Sequence, residues 1–131
     1  LIDVGSTIGP LLGDGTQVVF AMNGIPWWYE LGGYKETNIA PDILDSTGIL
    51  RREISSDRIV GCVVDCPAIV DAPGIILSKR GSEGVFTLGS SKSSKNPNLE
   101  RISKCLINAG MQAPIVENFE HAVWNKLIVN L

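Results

Sequence analysis

The sequence predicts an α/β layer fold, in which helices cover a central sheet. Two short apolar runs, at 17–22 and 59–64, end in turn-forming or polar residues and have the pattern of buried strands. Two longer stretches, at 97–110 and 118–131, carry apolar residues at helical spacing. Strand-like and helix-like segments alternate along the chain, and this alternation is typical of the α/β class.

The first half of the chain is expected to supply one strand between helical segments. The strand stops at Asn23-Gly24, a dipeptide that favours a sharp turn. Gly48 is the weak point of the helix that follows, because glycine is a poor helix former. In chain order, the predicted segments are the end of a helix at 6–12, the strand at 17–22, a short helical turn at 26–31, a glycine-bearing loop at 31–42 and a helix from 41 or 42 to about 54.

The second half is expected to supply further strands and two helices. The runs at 74–78 and 85–88 are predicted to pair as antiparallel neighbours, because the connection between them is too short for a helical crossover. Gly110 provides a stop signal for the helix that opens at Pro97. In chain order, the predicted segments are the strand at 59–64, the two strands at 74–78 and 85–88, a helix from 97, a short strand at 114–117 and the final helix.

Composition excludes several classes of function. The chain has 131 residues, 44% of them hydrophobic, with a formal net charge of −3, which suits one domain with its own core. The 11 basic residues do not gather in a stripe, so no nucleic-acid surface is expected. No apolar run reaches the length of about 18 residues that a membrane span needs. The 3 cysteines lack the spacing of a metal site or a disulfide framework, so buried free thiols and a cytoplasmic location are expected.

The final helix presents two polar side chains that need an explanation. Lys126 and Asn130 project within about 40° of each other, whereas Asn118, His121 and Asn125 form a separate polar face. Lys126 and Asn130 are therefore expected to point toward the interior or a cleft. An amine in that position must be paired or desolvated, at a cost in free energy unless a ligand, a carboxylate or an amide meets it. Catalytic acids are often placed in this way.

A structural role is the alternative for the same two residues. The stem of Lys126 can lie on apolar neighbours while its ammonium reaches water, and Asn130 can bond a nearby carbonyl. Other titratable groups are expected to be solvated and are given no catalytic part; they are Asp65, Asp71, Glu117 and His121.

A second candidate site lies where the first strand ends at Asn23-Gly24. In open α/β sheets, ligands bind beyond the carboxyl ends of the strands, so the Asn23 amide is well placed to hold a ribose or a substrate hydroxyl. The alternative is a plain turn, since Asn and Gly readily adopt positive φ. The aromatic residues that follow, Trp27, Trp28 and Tyr29, either pack internally or rim a substrate pocket.

The order and spacing of four segments resemble the ketopantoate reductase family, that is, 2-dehydropantoate 2-reductase and its relatives. NGIP and WNKLIVN are the specific parts of the resemblance, and the third segment is supportive. The four segments are VVFAMNGIP at 18–26, DRIVGCVV at 57–64, APGIILSKRGSEGVFTLG at 72–89 and EHAVWNKLIVN at 120–130.

The resemblance implies both an architecture and a reaction. Residues 1–117 would be the C-terminal part of a Rossmann-like NAD(P)-binding domain, and residues 118–131 the start of an all-helical substrate and dimerisation domain. The family reduces a 2-keto acid with NADPH, which implies Lys126 as the general acid and Asn130 as a substrate-binding residue. Asn23 and Gly24 would lie at the cofactor, with Asn23 also near the substrate. The implied substrate is 2-dehydropantoate or a similar 2-keto acid, in pantothenate biosynthesis, and a homodimer is left open.

Several departures from the family pattern limit what the chain is expected to do alone. The GxGxxG loop that would hold the cofactor pyrophosphate is not in the sequence and is expected upstream of Leu1. Met22 stands where the family usually has glutamine. The chain is therefore expected to be an internal fragment that does not turn over substrate. The alternatives are another Rossmann 2-hydroxy acid or opine-type dehydrogenase, in which Lys126 would not donate the proton, and a non-catalytic α/β interaction module.

Overall fold

The structure, a computed structural model, describes residues 1–29, 41–78, 84–90 and 97–130. Helices and strands alternate along these ranges, so the predicted α/β class is confirmed. Single 3-10 turns lie at Gly9–Leu11 and Ser56–Arg58. The elements in chain order are α1 (Ile2–Thr7), β1 (Val18–Ala21), α2 (Pro41–Leu44), α3 (Ile49–Glu53), β2 (Ile59–Asp65), β3 (Ala68–Ala72), β4 (Ile75–Ser78), β5 (Val85–Ser90), α4 (Pro97–Asn108) and α5 (Phe119–Val129).

The main sheet has the strand order β1-β2-β5. β1 runs parallel to β2, and β5 runs antiparallel to it. The segment 112–116 lies beside β5 and pairs with it through isolated bridges, from Val85 to Gln112 and from Leu88 to Ile115. The strand predicted at 114–117 is therefore present only as a bridged segment beside β5.

The predicted pairing of 74–78 with 85–88 is wrong. β4 instead pairs antiparallel with β3 in a separate two-stranded sheet, and β5 joins the main sheet beside β2. The Pro73-Gly74 turn, with Gly74 at φ 80°, closes the β3–β4 hairpin tightly. β5 is drawn away from β4 because its Leu88 side chain is fully buried in the core beside β2.

The helix predicted over 41–54 is divided at Gly48, the predicted weak point. Gly48 has φ 64°, in the left-handed region that favours glycine, and it precedes the first residue of α3. The buried carboxylate of Asp45 accepts hydrogen bonds from the backbone N–H groups of Leu50 and Arg51 and so satisfies the start of α3. The loop predicted at 31–42 and the end of the turn at 26–31 fall largely outside the described residues.

Two hydrophobic clusters cover the two faces of the sheet. On one face, Ile59 and Val63 of β2 contribute to the cluster that contains Phe119 and Val123 of α5. On the other face lies the cluster that contains Leu99 of α4; its other members are Val60, Cys62, Leu88 and Ala113. Because side chains alternate along a strand, β2 supplies both clusters and forms the centre of a helix–sheet–helix arrangement.

The cysteine prediction holds at one position. Cys62 is buried in β2, Cys66 is half-buried, and Cys105 is exposed on α4. The expectation of three buried thiols is therefore wrong for Cys105, whose side of α4 is open to solvent. All three cysteines are free thiols, as predicted.

Helix α5 packs on the sheet through Phe119 and Val123. The domain boundary predicted at residue 118 stays a prediction. Among the helices in the described ranges, none has both the length and the apolar character that crossing a bilayer requires.

Candidate functional site

Helix α5 is preceded by a capping residue, Asn118. The Asn118 side-chain oxygen accepts a hydrogen bond from the backbone N–H of His121 at 2.9 Å, so the helix starts at Phe119. Asn118, His121 and Asn125 are all exposed, as the sequence predicts. The opposite side of the helix turns toward the sheet.

Two glycines on neighbouring strands let α5 approach the sheet closely. Gly61 of β2 and Gly89 of β5 are register partners, and the side chain of Phe119 lies over both. A Cβ atom at Gly89 would come within 2.6 Å of Phe119 Cβ, and one at Gly61 would overlap the ring. Phe119, Val123 and Lys126 recur at helical spacing, so seating Phe119 on these glycines directs Lys126 along β2 toward its carboxyl end.

Lys126 is paired with a carboxylate at the end of β2. Its Nζ donates to Asp65 Oδ1 at 3.3 Å, and the two side chains are 21% and 51% exposed. Both residues line a cleft of about 310 Å³, at the lower end of the size range of small-molecule sites. The other residues that line the cleft are Val63, Val85, Thr87, Ala122, Asn125 and Val129.

Asn23 is hydrogen-bonded to Val64, the residue that precedes Asp65 on β2. Its side-chain oxygen accepts a hydrogen bond from the backbone N–H of Val64 at 3.2 Å, across 41 positions of sequence. A backbone N–H can only donate, so this bond fixes the side-chain carbonyl toward Val64 and leaves the NH₂ group as the part of Asn23 that a ligand can reach. Asn23 is exposed. Gly24 follows with φ 101°, and no described residue places an atom within 4 Å of its Cβ position.

The last two residues of β2 thus bring the two sequence-predicted regions together. Val64 holds Asn23, and Asp65 holds Lys126. The result is a half-buried ammonium and an exposed amide at the carboxyl end of two parallel strands. Such a pair can donate hydrogen bonds and a proton to a small oxygen-rich molecule.

Asn130 does not turn inward with Lys126. It is exposed and caps the end of α5, where its backbone N–H reaches the carbonyls of Lys126 and Leu127. The expected inward direction of Asn130 is therefore wrong within this chain, because the helix ends just before it. Its assignment as a substrate-binding residue stays a prediction.

The two tryptophans pack internally, which is the first of the two predicted alternatives. Trp27 and Trp28 are each 3% exposed and pack with Phe20 in the core. The reason is a turn in which the backbone N–H of Tyr29 donates to the carbonyl of Pro26 at 3.0 Å and folds the chain back onto β1. Tyr29 is also buried, and its hydroxyl accepts from Trp124 Nε1 at 2.9 Å, which ties this loop to α5.

Asp65 is the site residue that sequence reasoning missed. It was expected to be a solvated charge, yet its carboxylate is the recorded partner of Lys126 among the described residues. The available signal was its position, because Asp65 ends a buried strand whose parallel neighbour ends just before Asn23. Carboxyl ends of adjacent parallel strands share one edge of the sheet.

Comparisons with known proteins agree with the predicted resemblance. A comparison with models of protein families finds no match for the chain. The chain is 36% identical over 126 residues to a 2-dehydropantoate 2-reductase of Mesorhizobium japonicum, a match that covers 95% of this chain and 38% of the relative. The chain therefore spans less than half the length of this relative.

Solved structures give the same result. A Ralstonia solanacearum MolK2 protein assigned as a ketopantoate reductase superposes with a TM-score of 0.83 at 32% identity, over 95% of this chain and 38% of that one. D-mandelate dehydrogenase, solved with NADH, superposes with a TM-score of 0.69 at 17% identity, over 98% of this chain and 36% of that one, and shows likeness of fold alone. The resemblance to the ketopantoate reductase family is thus confirmed along nearly the whole of this chain, which corresponds to a partial Rossmann-type domain.

Proposed function

We propose that this chain is part of an oxidoreductase that reduces a small 2-keto acid, 2-dehydropantoate or a close analogue, to the 2-hydroxy acid with NADPH. The observation that carries the proposal is the half-buried Lys126 ammonium at the carboxyl end of β2, beside the strand that leads to Asn23. The 36% identity to a 2-dehydropantoate 2-reductase supports the same reaction class. Because the chain spans 38% of that relative, the activity is proposed for the full-length protein.

Lys126 has the chemistry that such a reduction needs. A bound nicotinamide supplies the hydride for the keto carbon, and negative charge then develops on the carbonyl oxygen. An ammonium that is only 21% exposed stabilises this charge more strongly than it would in water and donates its proton to the oxygen. The carbonyl oxygen thereby becomes a neutral hydroxyl group of the 2-hydroxy acid, and Lys126 regains a proton from solvent through the open side of the cleft.

Asn23 and Gly24 fit the nicotinamide end of the cofactor. The exposed NH₂ group of Asn23 is a hydrogen-bond donor suited to ribose or carboxamide oxygens, since its own oxygen is engaged by Val64. Gly24 offers open space where a side chain would otherwise project. We assign Asn23 to the cofactor and the substrate, Gly24 to the cofactor and, from the family resemblance, Asn130 to the substrate.

The remaining parts of the proposal follow from the relatives. A dehydrogenase of similar fold is solved with NADH, which supports a nicotinamide cofactor, and we propose NADPH from the ketopantoate reductase resemblance. We also propose that residues 118–131 begin a helical substrate and dimerisation domain, that this chain alone is inactive, and that the enzyme is cytoplasmic.

The test is an assay of the full-length protein for NADPH oxidation across alkyl and aryl 2-keto acids, with NADH run in parallel. We expect NADPH-dependent reduction of at least one alkyl 2-keto acid, 2-dehydropantoate being the first candidate. Mass spectrometry of the product identifies the 2-hydroxy acid. Absence of turnover with every keto acid and both cofactors would refute the proposed function.

A further inference from the structure

We propose that Asp65 is a positioning residue for Lys126, and that its carboxylate also opposes the negative charge of the bound keto acid. This inference rests on the proposed function, since it concerns how the same lysine is held for proton donation. It adds a role for a residue at the end of β2 to which the proposed mechanism assigns no part.

Asp65 and Lys126 differ in rigidity. Asp65 is the last residue of β2, and its backbone is held by pairing with Val85 of β5. Lys126 reaches it over a flexible four-carbon stem from the last turn of α5. Such a stem has many conformers in solution, so a contact at 3.3 Å to a carboxylate on a fixed strand selects one of them.

The pair contributes little to folding. The Asp65 side chain is 51% exposed, and ion pairs with this degree of exposure are screened by solvent and stabilise the fold weakly. The position of the pair in the cleft favours a role in the reaction.

The charges in the cleft also affect how a keto acid binds. Within the described ranges, the residues that line the cleft include two charged ones, Lys126 and Asp65. A 2-keto acid brings a carboxylate close to both. Because like charges repel, Asp65 weakens binding of the anion while it orients the ammonium that protonates the carbonyl oxygen. Removing the charge should therefore change kcat and KM in the same direction, with both falling.

The experiment compares Asp65→Asn, Asp65→Glu and the matched control Asp71→Asn in the full-length protein. Asp71 is an exposed carboxylate on the β3–β4 hairpin, so its replacement removes the same charge away from the cleft. We expect Asp65→Asn to lower kcat on the order of tenfold, because the ammonium is no longer held in place, and to lower KM severalfold. Asp65→Glu should restore part of kcat, and Asp71→Asn should match the wild type in both constants.

A second readout needs no turnover. Partial acetylation followed by peptide mass spectrometry reports how accessible the Lys126 amine is, and we expect faster labelling in Asp65→Asn than in the wild type or Asp71→Asn. Melting temperatures identify any variant that fails to fold, in which case Asp65→Glu carries the comparison. If the wild type is active and Asp65→Asn has the same kcat, this inference is overturned and the proposed function is not. The same holds if the labelling of Lys126 is unchanged in Asp65→Asn. A wild type that reduces no keto acid would overturn the proposed function as well, and the labelling would still report the contact.

Discussion

The ring of Phe119 occupies the space into which a side chain at Gly61 would project. This relationship sets how closely α5 lies on the sheet, and through the helix it sets where Lys126 emerges. Gly89, the register partner of Gly61, likewise leaves space for the Phe119 side chain. A steric detail in the core is therefore connected to the proposed chemistry, about two helical turns away.

Gly61→Ala tests this connection. The added methyl group overlaps an aromatic ring in a buried position, so Phe119 or the whole helix must shift, and overpacking of this kind costs about 1–3 kcal/mol of stability. The measurement is urea unfolding of the variant against the wild type. In the full-length protein, the same variant should also lose activity, because displacement of α5 moves Lys126.

The control for this substitution is Gly15→Ala. Gly15 is exposed, and among the residues that the structure describes none has an atom within 4 Å of its Cβ position, so the added methyl group should leave stability within about 0.5 kcal/mol of the wild type. If Gly61→Ala proves as stable as Gly15→Ala, the packing of Phe119 against Gly61 does not constrain the position of α5.

The contributions of the two hydrogen-bonding groups of Asn23, its side-chain oxygen and its NH₂ group, can be tested separately. Asn23→Asp keeps an oxygen for the Val64 N–H but replaces the NH₂ donor with a second oxygen. We expect stability close to that of the wild type and at least a tenfold loss of NADPH affinity or of kcat/KM, measured by fluorescence titration and by steady-state kinetics. Asn23→Ala should lose both the ligand contact and about 0.5–1.5 kcal/mol of stability. Retention of wild-type affinity and kinetics by Asn23→Asp would show that the amide donor has no part in binding.

The burial of the Cys62 thiol predicts a loss of stability at high pH. Burial raises the pKa of the Cys62 thiol to about 11 from its ordinary value of 9.0. The fold thus favours the protonated thiol, so this contribution is fully present below pH 9 and is lost as the pH rises toward 11, by about 2–3 kcal/mol. Unfolding of the wild type and Cys62→Ala at pH 8 and pH 11, under reducing conditions, isolates this term as a difference.

The control for that measurement is Cys105→Ala, because Cys105 is exposed on α4. This variant should show the same dependence on pH as the wild type. A Cys62→Ala variant that loses as much stability as the wild type between the two pH values would show that the thiol is not penalised by burial.

Sequence patterns predicted most of the main sheet and the long helices. The strands at 17–22 and 59–64, the break at Gly48 and the stop at Gly110 depend on local signals, namely apolar runs and residues that accept positive φ. The predicted face of α5 with Phe119, Val123 and Lys126 likewise follows from helical spacing. These features are local in sequence, which is why they could be predicted.

Pairings over long distances were harder to predict. β5 could pair with β4 by proximity in sequence, but burial of Leu88 beside β2 decided the outcome. The Lys126–Asp65 contact spans 61 positions, and nothing in the local pattern around Asp65 distinguishes it from a solvated charge. The burial of Trp27 and Trp28 depends in the same way on how the loop folds back onto β1.

The role of Lys126 as the proton donor is measured by kcat of Lys126→Ala in the full-length protein. We expect kcat for 2-keto acid reduction to fall on the order of 10²-fold or more, with little change in the Kd for NADPH, because a general acid acts on the reaction and not on cofactor binding. Lys126→Arg should be similarly slow, since guanidinium does not release its proton, and Lys104→Ala, at an exposed position of α4, should match the wild type. An unchanged kcat in Lys126→Ala would contradict the assignment of Lys126 as the proton donor.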